Sequence, residues 1–329
     1  MTSSRADATA WCSSLTSSRA LRRALVAAAV ALCAAVVAGC GLGAGDKPGQ
    51  TQLLVSRDFG ARPLTQTDQP QLGGSDTVMR LLQRNAKGVT TRFGGGFVQS
   101  VGGLAGGTQG GHPVDWFFYV NGVESDKGAA SVRVRQGDRV WWDFHDWGVT
   151  DRVPAVIGQF PEPFLHGIDG RRLPTRVECV DTKDPSCGSV QDRLVSLGLP
   201  AAKGGVGNSF VRETLRILVG PWRALREDNT AKLLEKGPGV SGVFVRPATD
   251  GRSFTMLDGR ARPTRTLGPG TGLIAATAAQ DNRDPVWVVT GTDAAGVRAA
   301  ADALDEGALA GRFAVAVVGG RPVALPDRS

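Results

Sequence analysis

The chain has 329 residues, a formal charge of +7 and 45 glycines. That length holds two domains of ordinary size. No cluster of Lys and Arg interleaved with aromatic residues occurs, so the composition points away from nucleic acid as a partner. Residues 1–39 carry four Arg and one Asp, which leaves the remainder at +4, a balance suited to anionic lipid or wall polymer.

The N-terminal region is read first. Arg19, Arg22 and Arg23 precede an apolar run from Leu25 to Val37, and Val37-Ala38-Gly39 leads into Cys40. The run is too short for a permanent span, and its flanks are those of a cleaved signal, which predicts a signal peptide over 1–39. Cys40 at the cut resembles the lipidated cysteine of a bacterial lipobox. That reading puts the protein on the extracytoplasmic face of the cell membrane, its partner there being the bilayer that receives the lipid on Cys40. An ordinary secretory signal or a short N-terminal anchor is the alternative, and the residues around Arg22-Arg23 fit a twin-arginine signal poorly. Residues 40–50, rich in Gly, form a flexible tether.

Residues 51–155 read as a small α+β domain. Thr51 to Arg57 is a strand, and Asp76 to Asn85 is a helix capped by Ser75, with Val78, Leu81 and Leu82 along one face. Glycine-rich hairpin material follows at 94–96, 102–103 and 106–111, where backbone can approach a planar ligand. Val114 to Val120 is a strand ending in Asn121-Gly122, a hairpin turn in which both residues accept positive φ. Val132 to Arg135 and Arg139 to Phe144 are read as a last hairpin around Gln136-Gly137-Asp138, so the sheet is mostly antiparallel around one helix.

Residues 160–329 have the texture of an α/β layer with mostly parallel strands. Strands are expected at Arg172 to Cys179, Thr214 to Val219, Gly242 to Val245, Ser253 to Leu257, Pro285 to Thr290 and Phe313 to Val318. Helices are expected at Ser189 to Leu197, from Trp222 to Lys236, from the Gly268–Gly272 loop through Ala279, and from Thr292 to Leu304. Cys179 and Cys187, spaced C-x7-C, are read as a structural disulfide of an oxidising compartment. A redox couple normally uses C-x-x-C, and His112, His145 and His166 lack ligand spacing for a metal at the pair, so no metal site is assigned.

The run Asp115-Trp116-Phe117-Phe118-Tyr119-Val120-Asn121-Gly122, then Gly128-Ala129, Gly137-Asp138 and Val140 to Phe144, resembles the transcobalamin-like C-terminal domain family over about residues 51–150. The resemblance implies a β-grasp-like fold and a domain that closes over one face of a corrin ring. The long helical barrel that forms the other half of that clamp has no counterpart here, and residues 160–329 match no family pattern by inspection.

On an extended strand, Val140, Trp142 and Phe144 share one face, read as core, while Trp141, Asp143, His145 and Trp147 share the other. The second face mixes aromatic and polar groups and is read either as an exposed ligand surface or as a hydrogen-bonded surface histidine with aromatics packed at the interdomain contact. Trp116 and Tyr119 extend it, and an imidazole there can coordinate a metal, including the cobalt of a corrinoid. Trp116, Tyr119, Trp141, Asp143, His145 and Trp147 are thus the candidate ligand-binding residues, and no catalytic residue is assigned. No G-x-S-x-G elbow, H-E-x-x-H or nucleotide fingerprint occurs, and Gly268–Gly272 lacks the Lys and Ser/Thr of a phosphate loop. The expected function is a cell-surface lipoprotein that binds a small ligand, a corrinoid by the resemblance, as an accessory to uptake through a transporter or companion binding protein. No cofactor is required. An envelope interaction module is the second expectation, and an envelope hydrolase using carboxylates of the α/β part is the third.

Overall fold

The computed structural model describes residues 50–68, 70–207, 213–280, 282 and 284–328. The expected signal peptide, the lipidation expected at Cys40 and the expected tether up to residue 49 lie outside them. Residues Gly49–Ser329 group as one compact unit. No helix among the described residues is long and apolar enough to cross a membrane.

The first part opens with β1 (Gln52–Arg57), β2 (Arg62–Thr67) and α1 (Val78–Asn85). It continues through β3 (Thr90–Arg92), β4 (Phe97–Val101), β5 (Leu104–Ala105), β6 (Gly107–Gln109), β7 (His112–Val120), β8 (Val123–Glu124) and β9 (Arg139–Asp146). The main sheet has the order β2-β1-β9-β7-β6, with β8 also on β7. Its first and last strands, β1 and β9, run parallel at the centre and the remaining pairs are antiparallel. This is a β-grasp-like arrangement, with α1 across one face. The cap of α1 is Thr77, whose hydroxyl accepts from the Arg80 amide, and not the expected Ser75. Asp76 is instead engaged by the Gly73 amide and the Arg84 guanidinium. Val78, Met79, Leu81 and Leu82 then meet Leu53, Val55, Val140, Trp142 and Phe144 in one core. Asn121 and Gly122 adopt φ of 53° and 75°, as their turn requires. Val132 to Arg135 is not a strand; it is joined to the start of α1 by the isolated bridge Thr77 to Arg133, and Val132 packs in the α1 core.

The second part contains β10 (Thr175–Cys179), α2 (Pro185–Ser196), β11 (Ala201–Gly205), β12 (Leu215–Pro221), α3 (Trp222–Leu225) and α4 (Pro238–Ser241). Then come β13 (Val245–Pro247), β14 (Phe254–Leu257), β15 (Pro263–Leu267), β16 (Gly272–Thr277), β17 (Val286–Gly291), α5 (Ala294–Asp302), α6 (Glu306–Leu309), β18 (Ala314–Val318) and β19 (Arg321–Leu325). The large sheet has the order β11-β10-β12-β17-β16-β18-β19. Four neighbouring strands, β11, β10, β12 and β17, are parallel, and β16, β18 and β19 are added antiparallel.

Two helix expectations are corrected. Gly272–Thr277 is a strand with every residue buried, because it lies between β17 and β18 with packed layers on both faces. Burial overrides the helical preference of Ala275 and Ala276. The expected helix from Trp222 to Lys236 is one turn of α-helix, a bend and a 3₁₀ segment at Ala231–Lys236. The bend is set where Asp228 Oδ1 accepts from the Thr230 and Ala231 amides.

Helices α2 and α5 cover one face of the large sheet, in a core that includes Val177, Ile217, Trp287 and Val289. Cys179 and Cys187 form a disulfide that ties β10 to the first turn of α2. A loop of this length contributes about 2–3 kcal/mol. The opposite face of the sheet carries Leu218, Leu273, Ala275 and Val288 and packs in one continuous core with Phe244, Phe254 and Trp222. The same core contains Phe59, Tyr119 and Trp141 of the first part.

Candidate functional site

The alternation along β9 holds, but both of its faces are buried. Val140, Trp142 and Phe144 point to the α1 core, as expected. Trp141, Asp143 and His145 point into the core shared with the large sheet, which corrects the expectation of an exposed ligand face. Apolar residues of the second part, Phe244 and Phe313, fill the space a ligand was expected to take.

The polar groups on this face are consumed internally. Asp143 accepts from Ser56 Oγ at 2.5 Å, from the Phe59 amide at 3.0 Å, from the Gly60 amide at 2.8 Å and from His145 Nδ1 at 2.8 Å. Trp141 Nε1 donates to Ser56 Oγ at 2.7 Å. The His145 ring lies between Phe59 and Phe117, with centroids at 4.5 and 4.4 Å, and meets the Phe313 edge. At 3% exposure it is closed to an external metal or corrin ring. Tyr119 is fully buried beside Trp141 and Phe313, and its hydroxyl has no hydrogen-bond partner among the described residues. Burial first, then the charges of Glu124 and Asp143, push its phenol well above the ordinary value.

The open concavity lies on the opposite face of the same sheet. It is a cleft of about 390 Å³, bounded by β4, by β7, by the 124–129 loop and by the segment after β9. Its aromatic surface includes Phe97, Trp116, Phe118, Trp142 and Trp147. Two of the candidate residues, Trp116 and Trp147, therefore line it, while Tyr119, Trp141, Asp143 and His145 do not. Trp116 is fixed by its Nε1 donating to the Leu104 carbonyl at 3.0 Å. Trp142 is only 2% exposed and its Nε1 has no partner among the described residues.

One wall is a gap in strand pairing. β6 pairs with residues 112–114 of β7 and β8 with residues 119–120, so among the described residues 115–118 pair with β9 alone as a neighbouring strand. Those same residues line the cleft. The Trp116 amide is capped by Asp115 Oδ1 at 2.9 Å, which blunts the edge.

A glycine-rich turn frames the cleft mouth. Phe93, Gly94 and Gly95 have φ of 52°, 68° and 92°, and this bend exposes Phe93 to 80% and Phe97 to 61%, their rings edge to face at 5.7 Å. Gly96 and Gly128 bring bare backbone to the lining, as the sequence suggested for the 94–96 loop. Phe97, Lys127 and Asp151 were missed because they come from the start of β4 and from two separate loops, and their only signal was adjacency to glycine or to the aromatic strand.

Residues 75–146 match DUF4430, a domain of unknown function. The DUF4430 region supplies α1, β3 to β9 and most of the cleft, while Trp147 and Asp151 lie just beyond it. No curated protein matches the chain at a significant level.

At the C-terminal ends of the parallel strands, where open sheets of this kind place ligands, the carboxylates serve local structure. Asp181 accepts from the Lys183 amide and Asp184 caps α2, while Asp293 caps α5 and also accepts from the Gly270 amide. No group of three or more metal-ligating side chains occurs among the described residues.

Proposed function

We propose that this is a lipid-anchored extracytoplasmic protein that binds a small ligand in the cleft between β4 and β7, as an accessory to uptake. The observation that carries the reading is the concentration of partly open aromatic surface in one concavity, with exposed Phe97 and Trp147 at its rim. Such surface is costly to leave in water and is typical of binding sites. DUF4430 is associated with transcobalamin-like domains, which makes a corrinoid the first ligand to test. A cleft of this size covers one edge of a corrin ring and does not enclose it, so a companion binding protein or the transporter would supply the rest. His145 is buried and takes no part in this binding.

The test is a titration of the purified chain with cobinamide and with cobalamin, following tryptophan fluorescence and corrin absorbance. Saturable quenching that is lost in Trp147→Ala supports a corrinoid. A flat response removes it as the ligand. A second reading, a docking module for a protein partner, is favoured by one observation, the 80% exposure of Phe93 outside the cleft. It predicts that Phe93→Ala abolishes partner capture and leaves small-ligand binding intact.

A further inference from the structure

We infer that the cleft recognises its ligand as an amide, through the main chain of β7. The inference rests on the reading of the cleft as a ligand site and names the chemical group that the site takes. In an antiparallel pair, residues bonded to the partner strand alternate with residues that turn their N–H and C=O away from it. The Trp147 amide donates to the Pro113 carbonyl at 3.0 Å, and the Asn121 amide to the Arg139 carbonyl at 2.8 Å. The register between those two points is regular, so Asp115, Phe117 and Tyr119 are the residues bonded to β9. Val114, Trp116, Phe118 and Val120 turn the other way. Val114 and Val120 lie opposite Gly107 of β6 and Val123 of β8. Trp116 and Phe118 face the gap.

Each of these two residues presents one donor and one acceptor, and one group of each is taken. Asp115 Oδ1 holds the Trp116 amide at 2.9 Å, and the Ser125 amide approaches the Phe118 carbonyl at 3.5 Å. The Trp116 carbonyl and the Phe118 amide have no partner among the described residues. An acceptor on one residue and a donor two residues on is the pattern that a parallel neighbour uses. One residue of it, opposite Phe117, gives its N–H to the first and accepts from the second. An antiparallel neighbour needs both groups of Trp116 or both of Phe118, and Asp115 and Ser125 stand in its way. Space then sets the length. Residues 115–118 span about 13 Å of strand, and β6 and β8 close the two ends. A strand of the usual length, about five to six residues, does not fit there. A single residue of a peptide fits, or one carboxamide group of a larger molecule. Peptide side chains on either side of that residue would fall on the face of Trp116 and Phe118, where Phe97 and Trp147 complete an aromatic wall.

The test follows backbone amides by NMR on the full chain, labelled at phenylalanine nitrogen, with the Phe118 signal assigned by its loss in Phe118→Leu. Without ligand, the Phe118 amide should exchange with solvent at least about tenfold faster than that of Phe117, which is bonded to β9. The blocked peptide acetyl-Phe-Gly-Phe-amide and the small carboxamide phenylacetamide then probe the two sources of the group. Saturable binding of either, with a shift of the Phe118 signal and exchange slowed at least about tenfold at saturation, supports the inference and identifies the source. Replacing the glycine N–H of the peptide by an ester oxygen should weaken binding at least about fivefold, and methyl phenylacetate is the matching control for the carboxamide. An ester that binds as tightly as its amide, failure of both amides, or a Phe118 amide already as protected as that of Phe117 overturns the amide inference. In each of those cases the cleft still stands as a ligand site if a corrinoid quenches the fluorescence of the wild-type chain and not that of Trp147→Ala. If the corrinoids and both amides all leave the Phe118 signal and the tryptophan fluorescence unchanged, the cleft falls as a ligand site and the inference with it.

Discussion

Asp143 Oδ1 and His145 Nδ1 lie 2.8 Å apart inside a core from which water is excluded, two residues from one another on a single strand. The pair organises the junction: the carboxylate also holds the Phe59 and Gly60 amides, and the imidazole ring separates Phe59 from Phe117. Asp143→Asn removes the charge and turns one acceptor into a donor facing other donors. It is expected to destabilise the protein by about 3 kcal/mol or more, measured by urea denaturation. A loss below about 1 kcal/mol would mean that water or a shifted hydroxyl can replace the carboxylate.

Tyr119 is the sole tyrosine, which makes it a clean probe. Its neutral form is the one the core accepts, because burial raises the phenol pKa, with Glu124 and Asp143 adding to the rise. The folded value therefore lies above the unfolded one. The stabilisation is complete below the ordinary phenol pKa and is lost as pH rises toward the folded value. The near-ultraviolet tyrosinate band should emerge only together with unfolding. Since the hydroxyl has no partner among the described residues, Tyr119→Phe should leave stability unchanged or raise it by up to about 1 kcal/mol.

His166 offers a second titration. Its Nδ1 lies 2.5 Å from Glu162 Oε1, and that hydrogen bond raises the imidazole pKa, with desolvation opposing it and the Glu162 charge adding. The contribution to stability is full below the unfolded pKa of about 6.5 and fades as pH rises through the higher folded value. Thermal melts from about pH 5.5 to 8.5 should fall across that window. His166→Gln should flatten the slope whatever it does to the absolute midpoint.

Gly60 and Gly95 both hold positive φ, 79° and 92°, but their surroundings differ. A Cβ on Gly60 would sit 2.1 Å from the Gly311 carbonyl oxygen, whereas one on Gly95 meets nothing within 4 Å. Gly95→Ala is expected to cost about 1 kcal/mol for backbone strain alone. Gly60→Ala should cost at least about 2 kcal/mol, since backbone of the second part must also move. Parallel denaturation curves separate the two terms, and equal losses would show that the junction at Gly60 yields freely.

Local chemistry was readable wherever it was decided locally. Asn121-Gly122 announced its turn, the β9 alternation was correct from Val140 to His145 but not at Trp147, which lies past the strand and lines the opposite face, and Cys179 with Cys187 paired as their spacing suggested. What sequence could not supply was the second partner of each surface. Trp141 and His145 looked like a binding face because polar groups sit among aromatics. Trp141 donates to Ser56, and Asp143, the partner of His145, accepts from Ser56, Phe59 and Gly60, all more than 80 positions away along the chain. Gly272–Thr277 carries alanines that favour a helix, and only its place between β17 and β18 makes it a strand. The cleft was half legible through Trp116 and Trp147, and its remaining walls come from loops that no periodicity marks.

The core that holds Tyr119 and Trp141 also holds Phe244, Phe254 and Leu273. Each large apolar side chain so enclosed contributes about 1.5–3 kcal/mol, so separating the two sheets would expose a surface far costlier than a small ligand could offset. The molecule therefore cannot work as a clamshell that opens along this seam. The proposed cleft lies on the outer side, beside the Phe93–Phe97 turn. The β-grasp sheet is held against its neighbour as a fixed wall.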